Sequence, residues 1–166
     1  MSGIAEALGL VRQTEDGFEL TFERRFARPV EKVWAALTTP ERIADWLAEA
    51  QVELRIGGAF RLLFPAHDYA MEGRIVELDP PRLIAWTWPH EAHPDSVVRW
   101  ELFADGDGCR LVLTQTRLQS PELPDVAAGW HTHLECLPGG VDGVATPWKA
   151  EREREIRGMY AGLGAE

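Results

Sequence analysis

Between Phe18 and Arg28 apolar and polar side chains alternate, Phe18, Leu20, Phe22 and Phe26 being separated by Glu19, Thr21, Glu23 and Arg25. A period of two puts the apolar members on one face, which predicts a half-buried strand. At Pro29 the period changes: Val30, Val33, Trp34 and Leu37 fall at i, i+3, i+4 and i+7, and Pro29 opens a short helix. A second follows at once, with Thr39 as N-cap, Pro40 in the first helical position, and Ile43, Trp46 and Leu47 on its apolar face.

From Val52 the period returns to two. Val52, Leu54 and Ile56 lead into Gly57-Gly58, and Phe60, Leu62 and Phe64 continue beyond it, so a tight hairpin is predicted at the glycine pair. Met71 to Leu78, Leu83 to Trp88, Val97 to Phe103 and Cys109 to Thr116 read as four further strands. Their short connectors favour antiparallel neighbours, because parallel strands need long crossovers. After Pro121 and Pro124 the helical period reappears: Val126, Gly129, Trp130, His133, Leu134 and Leu137 form one stripe, which Gly139-Gly140 is expected to end. A helix of about 15 residues, roughly 22 Å long, with so wide an apolar face must bury against the sheet. A last, Glu- and Arg-rich segment from residue 147 to 163, with Trp148, Ile156, Met159 and Tyr160 on a thinner stripe, predicts a peripheral helix.

These elements define an α+β chain with one domain over residues 1–166, the first 14 residues expected to be mobile. Hydrophobic residues make up 45% and charged residues 27%, too apolar for a disordered chain. The net charge is −10 and Lys and Arg form no stripe, which argues against nucleic acid and anionic membranes as partners. The segment Met1 to Leu10 has neither the basic start nor the apolar run of a signal peptide, and a cytoplasmic location is expected. Cys109 and Cys136, far apart and without flanking ligands, are expected to be buried, reduced thiols.

Several fragments together resemble a known family. They are Arg25-Phe26-Ala27-Arg28-Pro29-Val30-Glu31-Lys32-Val33-Trp34, then Leu37-Thr38-Thr39-Pro40-Glu41-Arg42, Trp46-Leu47, and Gly57-Gly58 with Phe60. To these add Val76-Glu77-Leu78-Asp79-Pro80-Pro81-Arg82-Leu83 and Gly129-Trp130-His131-Thr132-His133-Leu134. In combination they resemble the single-domain bacterial homologues of the activator of heat-shock protein 90 ATPase, in the START-like (SRPBCC, polyketide cyclase) superfamily. The resemblance runs from about Phe18 to Leu137. It implies a helix-grip fold, a curved antiparallel sheet of about seven strands around the long C-terminal helix, and a ligand cavity between them. Eukaryotic activators carry an additional N-terminal domain that engages the chaperone, so the resemblance implies a chaperone partner only in third place.

The seven tryptophans are many for 166 residues. Trp is bulky and carries an N–H that wants an acceptor, which suits pocket walls. Trp46, Phe60, Phe64, Trp86, Trp88, Trp100, Trp130, His133, Leu134 and Leu137 are the candidate cavity residues for a small apolar or aromatic molecule. His131 and His133 lie about 200° apart around the helix and cannot chelate one ion together. His131 and Glu135 read as a solvated i, i+4 pair. His90, Glu91, His93 and Asp95 gather in one loop, but prolines deny it the helix that a His-Glu-x-x-His site needs, so no metal and no cofactor are expected. Glu72, Arg74, Arg99, Glu101, Gln115 and Arg117 are polar strand residues whose face alternation leaves open. A binding module is the first reading, and a cyclase, aromatase or hydrolase using the same cavity is the alternative. Monomer and homodimer are both compatible with the sequence.

Overall fold

The computed structural model describes residues 8–89 and 95–162. Eight strands form one antiparallel sheet: β1 (Leu10–Thr14), β2 (Gly17–Phe26), β3 (Glu49–Val52), β4 (Ala59–Phe64), β5 (Tyr69–Asp79), β6 (Leu83–Thr87), β7 (Val97–Asp105) and β8 (Gly108–Leu118). Their order across the sheet is β1-β2-β8-β7-β6-β5-β4-β3. Two short helices, α1 (Val30–Thr38) and α2 (Pro40–Trp46), interrupt the sheet after β2. The long helix α3 (Leu123–Val141) and a shorter α4 (Ala150–Met159) follow it.

The core lies where the inner face of the sheet meets α3. Leu20 and Phe22 on β2, Phe60 and Leu62 on β4, Ile84 and Trp86 on β6, Val98, Trp100 and Leu102 on β7, and Leu111 and Leu113 on β8 are all buried. Alternation with exposed neighbours is what the period of two requires of a sheet covered on one face. Val33 and Leu37 from α1 and Ile43 and Trp46 from α2 seal one end of this layer. Cys109 and Cys136 are free and buried, and burial pushes the Cys109 thiol up to about 11.

Three details depart from the sequence reading. The sheet begins before Phe18, because Leu10–Thr14 pairs with β2 from Leu10↔Thr21 to Thr14↔Gly17. Its mostly polar sequence hides an edge strand. The β3–β4 hairpin closes at Val52↔Phe60, and residues 53–58 form a loop instead of strand. The Gly57 N–H and the Gly58 carbonyl bond the backbone of Ile75 on β5, at 2.8 and 2.9 Å, so Leu54 and Ile56 are left exposed.

The Gly139-Gly140 pair lies in the last turn of α3, which ends one residue later at Val141, as the sequence expects. Both glycines permit close approach. A Cβ on Gly140 would stand 2.5 Å from Cδ1 of Trp46, and one on Gly139 would stand 1.9 Å from the Thr146 hydroxyl. His131 is buried, not solvated, because α4 covers that side of α3. The Tyr160 hydroxyl accepts the Gly9 N–H at 2.9 Å and shares a 2.7 Å hydrogen bond with His131 Nδ1, while Arg152 grips both oxygens of Glu135 at 2.7 and 2.8 Å. That guanidinium holds the Glu135 carboxyl below the ordinary range.

Gly140→Ala should push against a Trp46 ring that is already held by its N–H bond to the Ala36 carbonyl at 2.8 Å. The expected loss is about 1–3 kcal/mol, read as a lower guanidinium midpoint. Gly129→Ala is the control: its Cβ meets nothing within 4 Å, and a gain of up to about 1 kcal/mol is expected from helix propensity.

Candidate functional site

From the N-cap of α3 onward, Glu122, Asp125, Val126, Gly129, Trp130 and His133 recur at three- and four-residue steps and share one helical stripe. They form one wall of a cavity of about 510 Å³. On the sheet side stand Phe64 at the end of β4, Tyr69 at the start of β5, Trp88 just past β6 and Gln115 on β8. His67 in the turn after β4, Leu47 after α2, Trp148, and Glu153 and Arg157 of α4 complete the enclosure. The space thus lies beside the N-terminal half of α3. Along the C-terminal half, Leu134, Leu137 and Val141 are packed tight.

Four of the ten residues singled out in the sequence border this space: Phe64, Trp88, Trp130 and His133. The other six, Trp46, Phe60, Trp86, Trp100, Leu134 and Leu137, belong to the packed core. Ring contacts account for the aromatic ones. Phe60 stacks on Trp86 at 3.7 Å between centroids, and Trp100 takes edge contacts from Trp46 at 5.9 Å and Trp130 at 5.5 Å. The N–H groups of Trp86 and Trp100 are buried without a hydrogen-bond partner among the described residues, so their place in the core is set by shape and area.

Of the polar strand residues, Gln115 is the one that turns inward and is buried. Its amide oxygen accepts the Trp130 indole N–H at 2.7 Å, and its amide nitrogen donates to Ser96 Oγ at 2.8 Å. Arg99 instead pairs with Glu77 and Glu101 on the outer face, and Arg61 pairs with Glu72. Arg74 and Arg117 are exposed.

His133 is 8% exposed, and its Nδ1 lies 3.2 Å from the Trp46 carbonyl. A carbonyl only accepts, so Nδ1 carries the proton and Nε2 keeps its lone pair. Burial pushes the ring down to about 4, helped by nearby His67, so it is neutral at neutral pH. Trp148 stacks on the His133 ring at 6.4 Å and meets His67 edge-on at 4.6 Å, while Trp88 hydrogen-bonds Tyr69.

Wall residues from the turn after β4 and from α4 carried no period that would mark them. Gly129 did carry a signal, a residue without a side chain on an otherwise apolar stripe. No group of three or more His, Cys, Asp or Glu suited to a metal occurs among the described residues. The histidines of the Pro89 to Asp95 loop fall at positions 90 and 93, outside them. No helix among the described residues is long and apolar enough to cross a membrane.

A curved antiparallel sheet closed on a long C-terminal helix, with two short helices inserted early, is the helix-grip architecture of START-like proteins. The chain belongs to the activator of Hsp90 ATPase homolog 1-like protein family, whose pattern matches residues 27–139. Among solved structures, CalU16 from Micromonospora echinospora is similar at 29% identity and a TM-score of 0.76, over 96% of this chain and 98% of that one. The protein encoded by gene BPP1335 of Bordetella parapertussis is 30% identical with a TM-score of 0.71, over 93% and 91% of the two chains. EF2215 of Enterococcus faecalis, a conserved protein of unknown function, shares the fold at 20% identity and a TM-score of 0.74, over 92% and 88%. No curated protein matches the chain.

The state of His133 has a consequence for pH. The unfolded chain takes a proton near 6.5 that the folded chain resists down to about 4. The stability that neutral His133 confers is therefore full above 6.5, declines as pH falls toward 4, and changes no further below that. The decline is at most on the order of 3 kcal/mol. Guanidinium unfolding from about pH 8 to about pH 4 should show it as a steeper acid loss in the native chain than in His133→Gln. Parallel profiles in the two proteins would refute it.

Proposed function

We propose that the chain is a small-molecule binding protein that holds an apolar or aromatic ligand in the cavity beside the N-terminal half of α3. The observation that carries this reading is a space of about 510 Å³ walled by Phe64, Tyr69, Trp88, Trp130 and Trp148. Small-molecule sites are of this kind, about 300–1,000 Å³, largely apolar, with a few placed polar groups. Membership of a START-like family is in keeping with it. We place the protein in the cytoplasm, as two free, buried cysteines fit.

The polar groups of the wall suit holding better than turnover. Gln115 is occupied by Trp130 and Ser96, and both cysteines lie off the wall. His133 is the natural candidate for a base, yet its basicity is depressed well below the range in which proton abstraction at neutral pH is efficient. Its Nε2 is instead a fixed acceptor for a ligand's O–H or N–H.

Gly129 provides the test, since a side chain there enters open space without meeting the fold. Gly129→Phe is expected to fold normally and to weaken any cavity ligand by about tenfold or more. Ligands come from a calorimetric and fluorescence panel of aromatic and aliphatic metabolites. A ligand bound equally by both proteins, or no ligand of any class for the native chain, overturns the proposal.

A further inference from the structure

The charges around the cavity are one-sided. Its wall carries three carboxylates, Glu122, Asp125 and Glu153, against one guanidinium, Arg157. Arg157 is used up, since it bonds Asp125 at 2.8 Å and Glu153 at 2.7 Å. Among the described residues Glu122 has no ion pair, and its Oε1 is buried without a hydrogen-bond partner. Apart from the His67 imidazole, the wall offers no unengaged basic side chain to an anionic ligand, and it does offer a carboxylate outside any ion pair among the described residues.

The hydrogen-bonding groups point the same way. His133 is more than nine-tenths buried, spends its one proton on the Trp46 carbonyl, and presents Nε2 as an acceptor with no partner among the described residues. The proton on the Trp130 indole is spent on Gln115. The rings of Trp88, Trp130, Trp148 and Tyr69 line the same space, and the face of such a ring attracts a cation within about 6 Å of its centre. A chain with a net charge of −10 superimposes a field of the same sign.

We propose that the cavity selects an organic cation: an apolar or aromatic body carrying a protonated amine that the Glu122 carboxylate receives, with His133 Nε2, eleven residues further along α3, left to accept a second donor from the ligand. This rests on the binding reading above and narrows it. Fatty acids and aryl carboxylates are disfavoured, because the fixed charges of the wall are three carboxylates against a single guanidinium that two of them already engage. Neutral alcohols satisfy the acceptors but gain nothing from the field.

Three probes of one skeleton separate the alternatives by calorimetry at neutral pH: 2-(2-naphthyl)ethylamine, 2-(2-naphthyl)ethanol and 3-(2-naphthyl)propanoate. The amine is expected to bind about tenfold more tightly than the alcohol, with the carboxylate weakest and the amine's advantage shrinking as salt rises. Glu122→Gln should remove most of the amine's advantage over the alcohol. Equal affinities, or a preference for the carboxylate, overturn the cation assignment and leave the cavity reading standing, provided that Gly129→Phe still weakens all three. Binding that Gly129→Phe leaves untouched places the site elsewhere and overturns both. An amine preference that survives Glu122→Gln at full strength overturns the role of that carboxylate.

Discussion

The hydrogen bond from the Trp130 indole to Gln115, 2.7 Å long and buried, sets the distance between helix and sheet on which everything else depends. It runs on through the Gln115 amide to Ser96 Oγ, and the Ser96 carbonyl receives the Trp88 backbone N–H at 2.8 Å. A single relay therefore ties α3 to β8 and to the start of β7. Both tryptophans that flank it, Trp88 and Trp130, meet edge to face at 5.3 Å between centroids. In a low-dielectric interior such a bond is worth keeping intact, because losing either partner strands the other, at a cost of about 1–3 kcal/mol.

Around that spacer the interior divides in two. Toward the C-terminal end of α3, glycines and aromatic rings let helix and sheet come close: Gly140 admits Trp46, and Trp46 and Trp130 each press edge-on against Trp100. Toward the N-terminal end the same helix presents Gly129 and Val126, too small to reach the opposite aromatic wall, and space remains. The helix is one element with two tasks, and side-chain volume along its stripe assigns them. Helix α4 then roofs the other flank, burying His131 and bringing Glu153 and Arg157 to the cavity rim.

How much of this was legible in the sequence follows from what periodicity measures. Alternation located β2, β4 and β5 to β8 and the stripe of α3, because those elements have one dry face and one wet face. It missed β1, an exposed edge strand with no dry face of its own, and it began the third strand at Val52, where β3 already ends, because Leu54 and Ile56 keep the alternation while the backbone turns to bond Ile75. Gly139-Gly140 marked the end of α3 to within one residue, but not that Gly140 also makes room for the Trp46 ring. For the site, Phe64, Trp88, Trp130 and His133 stood on inferable faces. Trp86 and Trp100 misled because an indole was assumed to need an acceptor, whereas both tolerate an unpaired N–H amid ring contacts. His131 misled because a helical wheel knows nothing of a second helix that folds over it.

Tyr160 joins parts of the chain that the sheet keeps apart. Its hydroxyl links the backbone at Gly9, 151 positions away, to His131 on the long helix. The segment leading into the first strand and the last helix are thereby fastened at one phenol. Closing so large a loop carries a high entropic cost and must follow the sheet that brings its ends together. The latch is consequently a long-range contact made once the sheet is in place, and Tyr160 is packed into the core around it. Because Arg157 and Glu153 ride on the same helix, the phenol that fastens the two ends of the chain also fixes the place of the charged groups at the cavity mouth.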